Sequence, residues 1–435
     1  MVSNLRILHL PSSFFPDYTG GKEVFVFQLA LNLIERGSQS SVLIHSGSGS
    51  GCYEYKGVPV HVLPSLVSKD YRKSYFTRIY QNILSFQTFI KQQKPDIIHF
   101  HDQGEGASLS HLRICKELGI KTLLTYHSPG QSCMQRALIY ADKKPCDGYI
   151  DIDRCTSCRY QTKGIPEKSA SLMSRVSLPV DSGGKIFFRN STRLFYNSWK
   201  EFYQTVDAIQ VHAKWVKELL LSNGVSPEKI HFVDMGGHES LPKKIKDNVG
   251  NDLLKIVFIG RCTDIKGIHL LIDAVLEIPK DMKLEVHFFS PAWDDEYGKR
   301  LLGRINGDPR FKLPVLIPAD QIVARLQKMD VCIIPSLWPE TGPFTVFDAL
   351  AAGIPVVGTN LAGIPERVKH EKNGLLFEWN NADDLKNQIL RLYNDSGLLQ
   401  SLRENIQPNR TFSQMGKDFI SLYKQILHPD LTATA

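Results

Sequence analysis

The sequence predicts an α/β protein with two doubly wound domains, each a parallel sheet covered by helices on both faces. Short apolar segments rich in β-branched residues recur along the chain, which is typical of strands buried on both faces. Amphipathic stretches with helical spacing of apolar residues lie between them, and this alternation is typical of βαβ units. The series runs twice along 435 residues, a length that suits two or three domains.

The first half begins with a predicted strand over 5–10, a Gly-containing loop and an amphipathic helix that ends near Gly37. A second amphipathic helix ends before Pro95. About residues 130–195 the apolar periodicity is lost and half of the cysteines occur, so this region is predicted to be an insertion. The other strands of this half are predicted over 96–100, 122–126 and 208–212, and the apolar helix positions are Val24, Phe27, Leu31 and Ile34, then Ile79, Ile83, Phe86 and Ile90.

A polar segment over 240–252 is the predicted linker, so the first domain is assigned to 1–240 and the second to 253–408. Two such domains facing each other would form a cleft at the carboxyl ends of both sheets, where ligands bind in these folds. The final segment, 409–435, contains a predicted helix over 412–426. The strands of the second half are predicted over 255–260, 284–289, 330–335 and 355–359.

The composition is that of a globular protein, with 42% hydrophobic and 22% charged residues, and argues against a disordered, collagenous or coiled-coil chain. The net charge of +7 suits anionic ligands or a membrane surface, and no sequence motif points to nucleic acid. We see no secretory signal and no long apolar run, and eight cysteines are too few for a disulfide scaffold. The sequence therefore predicts a cytoplasmic protein.

A basic and aromatic segment over 69–80 introduces a second possibility for location. Such a face can rest on anionic lipid headgroups, which predicts a peripheral position at the inner face of a membrane. A solvated helix face and a grip on an acidic acceptor are the alternatives. The cations are Lys69, Arg72, Lys73 and Arg78, and the aromatic residues are Tyr71, Tyr75 and Phe76.

Two acids, Glu340 and Asp348, lie beyond the end of the predicted strand over 330–335. Pro343 suits a first helical turn and Gly353 a helix end, which places Glu340 in the loop before a helix and Asp348 on that helix. Carboxylates so placed can accept hydrogen bonds from vicinal hydroxyls of a sugar or a ribose. On spacing alone, a solvated loop acid and an ordinary helix acid are the favoured alternative.

Other candidate residues also follow predicted strands. Arg261 and Lys266 precede a helix, where cations and free backbone N–H groups attract phosphate. Gly20 and Gly21 precede the first helix and let a ligand approach the backbone. His127 follows the strand over 122–126. Taken singly, surface cations, a turn and a packed histidine are the simpler interpretations.

The segments PSLWPE, ALAAGIPVV and LAGIPE, with an acid eight residues after Glu340, resemble the signature of the family 4 retaining glycosyltransferases of the GT-B fold. GRCTDIKG matches that family's GR…KG motif, and GGKE and PDIIHFHD agree more loosely. The family has Glu where this chain has Asp348, whose side chain is one methylene shorter. It has Gly where this chain has Pro343, with Gly342 one residue earlier.

The resemblance implies transfer of a sugar from a nucleoside diphosphate sugar to a hydroxyl acceptor, with retention and with no catalytic metal. Glycan, glycolipid or surface polysaccharide synthesis is the implied setting. It also implies that the last helix crosses back to the first domain and that the two domains close on each other. A non-catalytic sugar-nucleotide-binding partner, or another GT-B enzyme such as an epimerase or a phosphorylase, is the alternative.

Individual roles follow from the resemblance. Glu340 would contact hydroxyls of the donor sugar, and Asp348 the ribose of the nucleotide. Arg261 and Lys266 would hold the diphosphate and stabilise the leaving group. The remaining implied site residues are Gly20 and Gly21 beside the diphosphate and acceptor, His127 beside the reacting sugar, and Glu366 lining the donor site.

Four clustered cysteines within the predicted insertion suggest a metal site. A Cys-x-x-Cys pair with two further cysteines upstream suits tetrahedral zinc, and four thiolates predict a structural ion. Arg154 and Arg159 flank the pair and are expected to lower the pKa of its thiols. An iron–sulfur cluster, a redox pair and four ordinary reduced thiols are the alternatives. The cysteines are Cys133, Cys146, Cys155 and Cys158.

Overall fold

A computed structural model describes residues 4–18, 20–47, 49–64, 83–104, 107–176, 188–240 and 253–429. The chain divides into two compact units. Unit 1 contains Met1–Asp234 and Phe412–Ala435, and unit 2 contains Met235–Thr411. The basic segment over 69–80, and the predicted linker beyond Ser240, lie outside the described residues.

Unit 1 is built on an eight-stranded sheet in the order β10-β9-β6-β5-β1-β2-β4-β3. All of its pairings are parallel except that of β3 with β4. A separate antiparallel pair, β7 with β8, follows the 3-10 turn after β6. The strands are β1 (Arg6–Leu10), β2 (Gln39–His45), β3 (Gly51–Tyr55), β4 (Val58–Leu63), β5 (Ile97–Phe100), β6 (Lys121–Thr125), β7 (Ile139–Tyr140), β8 (Lys144–Pro145), β9 (Ala208–Val211) and β10 (Ile230–Phe232).

Helices cover both faces of this sheet because the connections between parallel strands are helical. The core holds apolar residues of the strands and of the inward helix faces, for example Phe86 and Ile90. The described helices of unit 1 are α1 (Gly21–Glu35), α2 (Ile83–Gln93), α3 (Leu109–Glu117), α4 (Ile152–Gln161), α5 (Glu167–Ser174), α6 (Arg189–Thr205), α7 (Lys214–Ser222) and, from the end of the chain, α15 (Phe412–Leu427).

Unit 2 is built on a five-stranded, all-parallel sheet in the order β12-β11-β13-β14-β15. Every residue of β13 and of β14 is buried, as expected for strands with helices on both faces. The elements are β11 (Leu254–Ile259), α8 (Ile268–Leu276), β12 (Leu284–Phe289), α9 (Glu296–Ile305), α10 (Ile322–Leu326), β13 (Val331–Ile334), α11 (Phe344–Ala351), β14 (Val356–Thr359), α12 (Gly363–Arg367), β15 (Gly374–Phe377), α13 (Ala382–Asn394) and α14 (Ser396–Glu404).

The predicted fold class is confirmed, with two α/β units built on mostly parallel sheets. All eight predicted strands are present within one or two residues of their predicted bounds. Strands β2, β3, β4, β7, β8, β10 and β15 were not predicted. The sequences of β2, β3 and β4 mix polar and apolar residues, and β3 is an exposed edge of the sheet. Pro343 precedes α11 as its N-cap and does not lie within the first turn.

No helix among the described residues is long and apolar enough to span a bilayer.

Candidate functional site

In unit 2, the loop that enters α8 places Lys266 against Glu340. Lys266 ends a 3-10 turn, and Gly267 follows with φ of 69° in the left-handed region. A Cβ at Gly267 would lie 1.9 Å from the carbonyl oxygen of Pro335, so the loop can pack at the end of β13 only with glycine there. Nζ of Lys266 lies 2.6 Å from Oε1 of Glu340.

Glu340 is a charged group held in a nearly closed environment, with 6% of its surface exposed. The hydroxyl of Ser336 donates to Oε1 at 2.8 Å. Burial acts to raise the pKa of Glu340, but the charge of Lys266 and hydrogen bonds from Lys266, Trp338 and Ser336 bring this pKa below its usual value. The pair therefore rests as ammonium and carboxylate.

The LAGIPE segment surrounds the backbone of Glu340. The N–H of Gly363 donates to the carbonyl oxygen of Glu340 at 2.9 Å, and a Cβ at Gly363 would lie 2.5 Å from that oxygen. Ala362, one residue earlier, has φ of 53°. Glu366 is partly buried in the short helix α12 that follows. The loop that holds Glu340 thus contacts the start of the helix that holds Glu366.

Asp348 has a partner that the sequence did not indicate. Its Oδ1 lies 2.9 Å from Nδ1 of His238, in the segment that precedes the predicted linker. Gly237 lets this segment pass close to α11, since a Cβ there would lie 3.0 Å from Cβ of Phe347. Burial raises the pKa of Asp348, and the hydrogen bond to Asp348 raises the pKa of His238.

Arg261 follows β11 and its side chain is exposed, whereas Lys266 is partly buried. Arg261 is therefore free of the tight packing that fixes Lys266, and a ligand phosphate can reach it from solvent. Of the predicted residues in unit 2, Lys266 and Glu340 are in direct contact, while Asp348 is bonded to His238.

In unit 1, Gly20 is the N-cap of α1 and Gly21 its first residue. A Cβ at Gly20 would lie 2.7 Å from Oε2 of Glu23, a carboxylate that accepts the hydroxyl of Ser13 at 2.6 Å. Lys22, next to the glycine pair, forms an ion pair with Asp102 at the end of β5. The glycine pair is thus flanked by the carboxylate of Glu23 and by the ion pair of Lys22 with Asp102.

His127 lies two residues beyond β6, also at a carboxyl end of the sheet. Its Nε2 lies 3.0 Å from Nδ1 of His101, and Phe25 packs edge-on against its ring at 4.8 Å between centroids. Burial, followed by the charges of His212 and Lys22, brings the pKa of His127 well below its usual value. His127 is thus a neutral imidazole at neutral pH.

Three other histidines lie beside it, and among the described residues they are the group whose metal-ligating atoms come within 4.8 Å of one another. Every ring nitrogen of His9, His99 and His101 already has a hydrogen-bond partner. Metal binding would require several of these bonds to break. The group is better described as a hydrogen-bonded network.

The four clustered cysteines surround one small cavity between the β7–β8 pair, α4 and α6. Three of the sulfurs accept hydrogen bonds: Cys155 from the Tyr196 hydroxyl at 3.0 Å, Cys158 from the Ala141 N–H at 3.2 Å, and Cys146 from Arg154 at 3.6 Å. The lining cysteines are Cys133, Cys146, Cys155 and Cys158.

The expectation that flanking arginines lower the thiol pKa values is wrong for this structure. Burial is the largest influence and raises the pKa of Cys146 and Cys155, and raises that of Cys158 to about 11. Arg154 does act on Cys146, but too weakly to offset burial. Arg159 instead donates to the Phe188 carbonyl and to nearby hydroxyls.

Sequence reasoning missed His238, His9 and His101 as neighbours of the candidate site. A signal was present for two of them, because both LRILHL and DIIHFHD carry histidine near the carboxyl end of a predicted strand. Residues two apart on a strand share a face, so His99 and His101 were bound to lie together. For His238 no periodic pattern was available.

Two family models match the chain. One for "Glycosyltransferase Family 4" matches residues 19–168, and one for "Glycosyl transferases group 1" matches residues 254–395. Together these matches cover about two thirds of the chain and reach both units. The predicted motifs GRCTDIKG and PSLWPE fall within the second match.

Several relatives have names that agree with these models. An uncharacterized glycosyltransferase of Methanocaldococcus jannaschii, MJ1607, is 24% identical over 48% of this chain and 54% of its own length. The putative glycosyltransferase YtcC of Bacillus subtilis is 26% identical over 60% of this chain and 70% of its own length. The putative colanic acid biosynthesis glycosyltransferase WcaL of Salmonella typhimurium is 26% identical over 48% of this chain. The chain thus spans about half the length of the first and last of these relatives.

Solved structures share the fold over nearly the whole chain. Sucrose-phosphate synthase from Thermosynechococcus elongatus superposes with a TM-score of 0.66 at 18% identity, covering 98% of this chain and 100% of that one. Anabaena HepE in complex with UDP and glucose superposes with a TM-score of 0.64 at 16% identity, covering 96% and 99%. At these identities the likeness establishes the fold alone.

Proposed function

Since this chain belongs to the family 4 glycosyltransferases, we propose that it is a retaining glycosyltransferase that moves a sugar from a nucleoside diphosphate sugar to a hydroxyl acceptor. The observation that carries the proposal is the ion pair of the partly buried Lys266 with the buried Glu340 on the two motif loops. A buried charge pair is expensive to desolvate and is commonly retained for a task other than stability. The UDP and glucose bound by the structural relative HepE support a sugar nucleotide as the donor.

In the proposed reaction the bond from the anomeric carbon to the diphosphate oxygen breaks and a bond to the acceptor oxygen forms on the same face. The proton of the acceptor hydroxyl passes to a phosphate oxygen of the leaving group. Arg261 and Lys266 stabilise the charge that develops on that diphosphate. Lys266 has three N–H donors, so it can bind phosphate while it retains Glu340.

Glu340 orients the donor sugar through its hydroxyls, and Glu366 lines the donor site beside it. Asp348 binds the ribose, with His238 holding its carboxylate in place. The backbone at Gly20 and Gly21 approaches the diphosphate and acceptor, and His127 bonds to the reacting sugar. Positioning and electrostatics supply the catalysis, with no protein nucleophile and no catalytic metal.

The test is a panel of UDP-, GDP- and ADP-sugars, with thermal stabilisation and slow donor hydrolysis measured on the same samples. One donor that both stabilises and is hydrolysed is expected, and the anomeric configuration of a glycoside product, read by NMR, is expected to match that of the donor. Stabilisation without turnover under every acceptor tried would favour a non-catalytic binding protein. If no nucleotide binds, the Arg261–Lys266–Glu340 assignment is wrong.

The acceptor is proposed to be a glycan or a lipid-linked sugar, in line with the polysaccharide name of the relative WcaL. Contact with a membrane would then run through the basic segment over 69–80. Cosedimentation with anionic vesicles, compared with neutral ones, tests this contact. Equal recovery with both would contradict it.

We also propose a structural zinc ion at the cluster of four cysteines. Their sulfurs share one cavity, and the N–H and O–H donors that point at three of them are the groups that stabilise thiolates. The backbone nearby is strained, with positive φ at four non-glycine residues, which suggests a shape imposed by a bound ion. Those residues are Arg136, Leu138, Ala141 and Asp142.

The four sulfurs would hold zinc as thiolates, despite the raised pKa values of Cys146, Cys155 and Cys158. The measurement is metal content of the purified chain, with one zinc per chain expected. Cys155→Ser with Cys158→Ser should abolish it, while Cys52→Ser, at an exposed cysteine, should not. Iron with sulfide would indicate the cluster alternative, and a metal-free, stable protein would leave four reduced thiols.

A further inference from the structure

We infer that His9 and His101 are positioning residues that couple the tautomer of His127 to the hydroxyl of Ser40, through one hydrogen-bonded chain. We call this series the histidine chain: Ser40, His9, His101 and His127. The inference rests on the proposed place of His127 beside the reacting sugar.

The contacts form a continuous series from Ser40 to His127. Oγ of Ser40 lies 3.1 Å from Nε2 of His9, and Nδ1 of His9 lies 2.9 Å from Nε2 of His101. Nδ1 of His101 then lies 3.0 Å from Nε2 of His127. Each of the two inner rings uses one nitrogen toward each neighbour, so a proton position at one end constrains the next.

The fold brings these side chains together without long loops. β1, β5 and β6 are adjacent parallel strands, and His9, His101 and His127 lie at their carboxyl ends. Ser40 lies on β2, the next strand on the other side of β1. The carboxyl edge of a parallel sheet is where such folds bind ligands, so the chain runs toward that edge from inside the sheet.

The inner members carry no net charge. His9 and His101 are fully buried, and burial lowers the pKa of His9 to about 3 and that of His101 well below its usual value. A neutral imidazole has one donor nitrogen and one acceptor nitrogen. The histidine chain therefore has two consistent arrangements. Either every hydrogen bond is donated toward His127, or every hydrogen bond is donated toward Ser40.

Ser40 permits both arrangements, because a hydroxyl can donate or accept. In the first arrangement, Nε2 of His127 accepts a hydrogen bond from Nδ1–H of His101. The hydrogen of His127 is then on Nδ1, which becomes a donor. In the second, Nε2 of His127 carries the hydrogen and Nδ1 is an acceptor. The arrangement of the histidine chain thus decides whether Nδ1 of His127 is a donor or an acceptor, without a charged imidazole being formed.

His99, although adjacent, is held in one tautomer. Thr125 donates to Oε1 of Gln210 at 2.9 Å, so its oxygen must accept from Nε2 of His99, 2.7 Å away. Nδ1 of His99 consequently accepts from the hydroxyl of Tyr423 at 2.8 Å. Its ring lies 3.9 Å from that of His101, centroid to centroid, and so holds the histidine chain in place without joining it.

The experiment uses the full chain labelled with ¹⁵N-histidine, with His127→Gln to assign the His127 signals. Ser40→Ala removes the terminal hydroxyl and should shift the ¹⁵N signals of His127 toward one tautomer. It should also lower kcat about tenfold, less than loss of a direct acid or base, with KM unchanged. Ser41→Ala, on the same strand, is the matched control and should change neither the ¹⁵N signals nor kcat. Ser40→Thr retains a hydroxyl and should keep the wild-type signals and kcat.

Unaltered His127 signals and unaltered kcat in Ser40→Ala, in a protein with wild-type melting temperature, would overturn the inference. The NMR readout requires no turnover. If the wild type transfers no sugar from any donor, the proposed function fails while the ¹⁵N signals still decide whether the histidine chain exists. If transfer is normal and the signals do not respond to Ser40, the histidine chain fails alone.

Discussion

Both units place polar groups at the carboxyl ends of their sheets, but these groups are charged in unit 2 and neutral in unit 1. In unit 2, Lys266 and Glu340 are both charged and contact each other at 2.6 Å. In unit 1, His9, His101 and His127 are neutral and share hydrogens along a line. Glu340 of the first group and His9 and His101 of the second are all buried, so burial alone does not determine whether a site is charged or neutral.

The difference agrees with what each group would provide to a ligand under the proposed function. A diphosphate is an anion whose charge changes as it leaves, and a fixed cation responds to that change strongly in a low-dielectric site. A hydroxyl is neutral and needs a partner that can donate or accept, which a neutral imidazole provides. Under the proposed function, unit 2 would stabilise the charge of the leaving diphosphate and unit 1 would supply hydrogen bonds to hydroxyls.

The largest expected effect removes the charge in unit 2. Glu340→Gln should lower kcat/KM by about 10² to 10³-fold, because the sugar loses a charged acceptor and Lys266 loses its counter-ion. Steady-state kinetics with the identified donor measures this. Glu117→Gln, at an exposed carboxylate of unit 1, is the control and should be silent. Equal kinetics for both variants would show that the charge pair is only structural.

As the pH is lowered, the two units are expected to lose stability over different pH ranges. The depressed pKa of a buried histidine stabilises the fold above about pH 6.5 and that stability is lost as the pH falls toward about 3 for His9. The depressed pKa of Glu340 contributes stability that is lost only when the pH falls below the usual value of 4.5. Each buried neutral histidine adds a slope of about 1.4 kcal/mol per pH unit.

Denaturant unfolding between pH 7.5 and pH 5 tests this order. His9→Gln should reduce the slope of the free energy of unfolding against pH, whatever its effect on stability at pH 7.5. Parallel slopes for wild type and variant would mean that His9 is already protonated in the folded protein.

Backbone geometry is a further way to break the charged site without touching a charge. Gly267→Ala should destabilise the protein by about 1–3 kcal/mol, because φ is positive there and the new Cβ would meet the Pro335 carbonyl. Displacement of Lys266 should reduce activity as well. Gly303→Ala, in open space within α9, is the matched control and should be neutral or slightly stabilising. Melting curves that rank the two variants equally would contradict this account.

The smallest effect concerns the pair of His238 and Asp348. The raised pKa of His238 stabilises the fold below about pH 6.5, and this contribution is lost as the pH rises through the folded-state value. His238→Gln should therefore lower Tm by about a degree more at pH 5.5 than at pH 8, since the side chain is partly exposed and its charge is screened. A Tm difference independent of pH would exclude a charged His238.

The fold was largely readable from the sequence because its central strands are short, apolar and separated by amphipathic helices. The strands that escaped, such as β3, lie toward an edge, where one face meets solvent and the apolar run disappears. Element placement for Glu340 and Asp348 was also accessible, because Gly353 marks the helix end and Pro343 its start.

Side-chain partners were less accessible. Lys266 and Glu340 are 74 residues apart, and their contact depends on β11 lying beside β13 in the sheet, an order that local periodicity does not encode. The bond from His238 to Asp348 depends likewise on a segment with no regular pattern. The thiol pKa values were mispredicted because burial, which the flanking residues do not reveal, outweighs the charge of Arg154, and because Arg159 donates to other partners.

Unit 1 is assembled from both ends of the chain. Helix α15 packs its buried Phe419 near Phe25 of α1, and Tyr423 supplies the hydroxyl that holds His99. A chain emerging from the ribosome therefore makes the sheet of this unit long before it makes the helix that completes it. Until residues 412–427 are synthesised, Nδ1 of His99 and the part of α1 around Phe25 lack the partners that α15 supplies, so the interval of translation between β10 and α15 leaves unit 1 incomplete and open to holding chaperones and proteases.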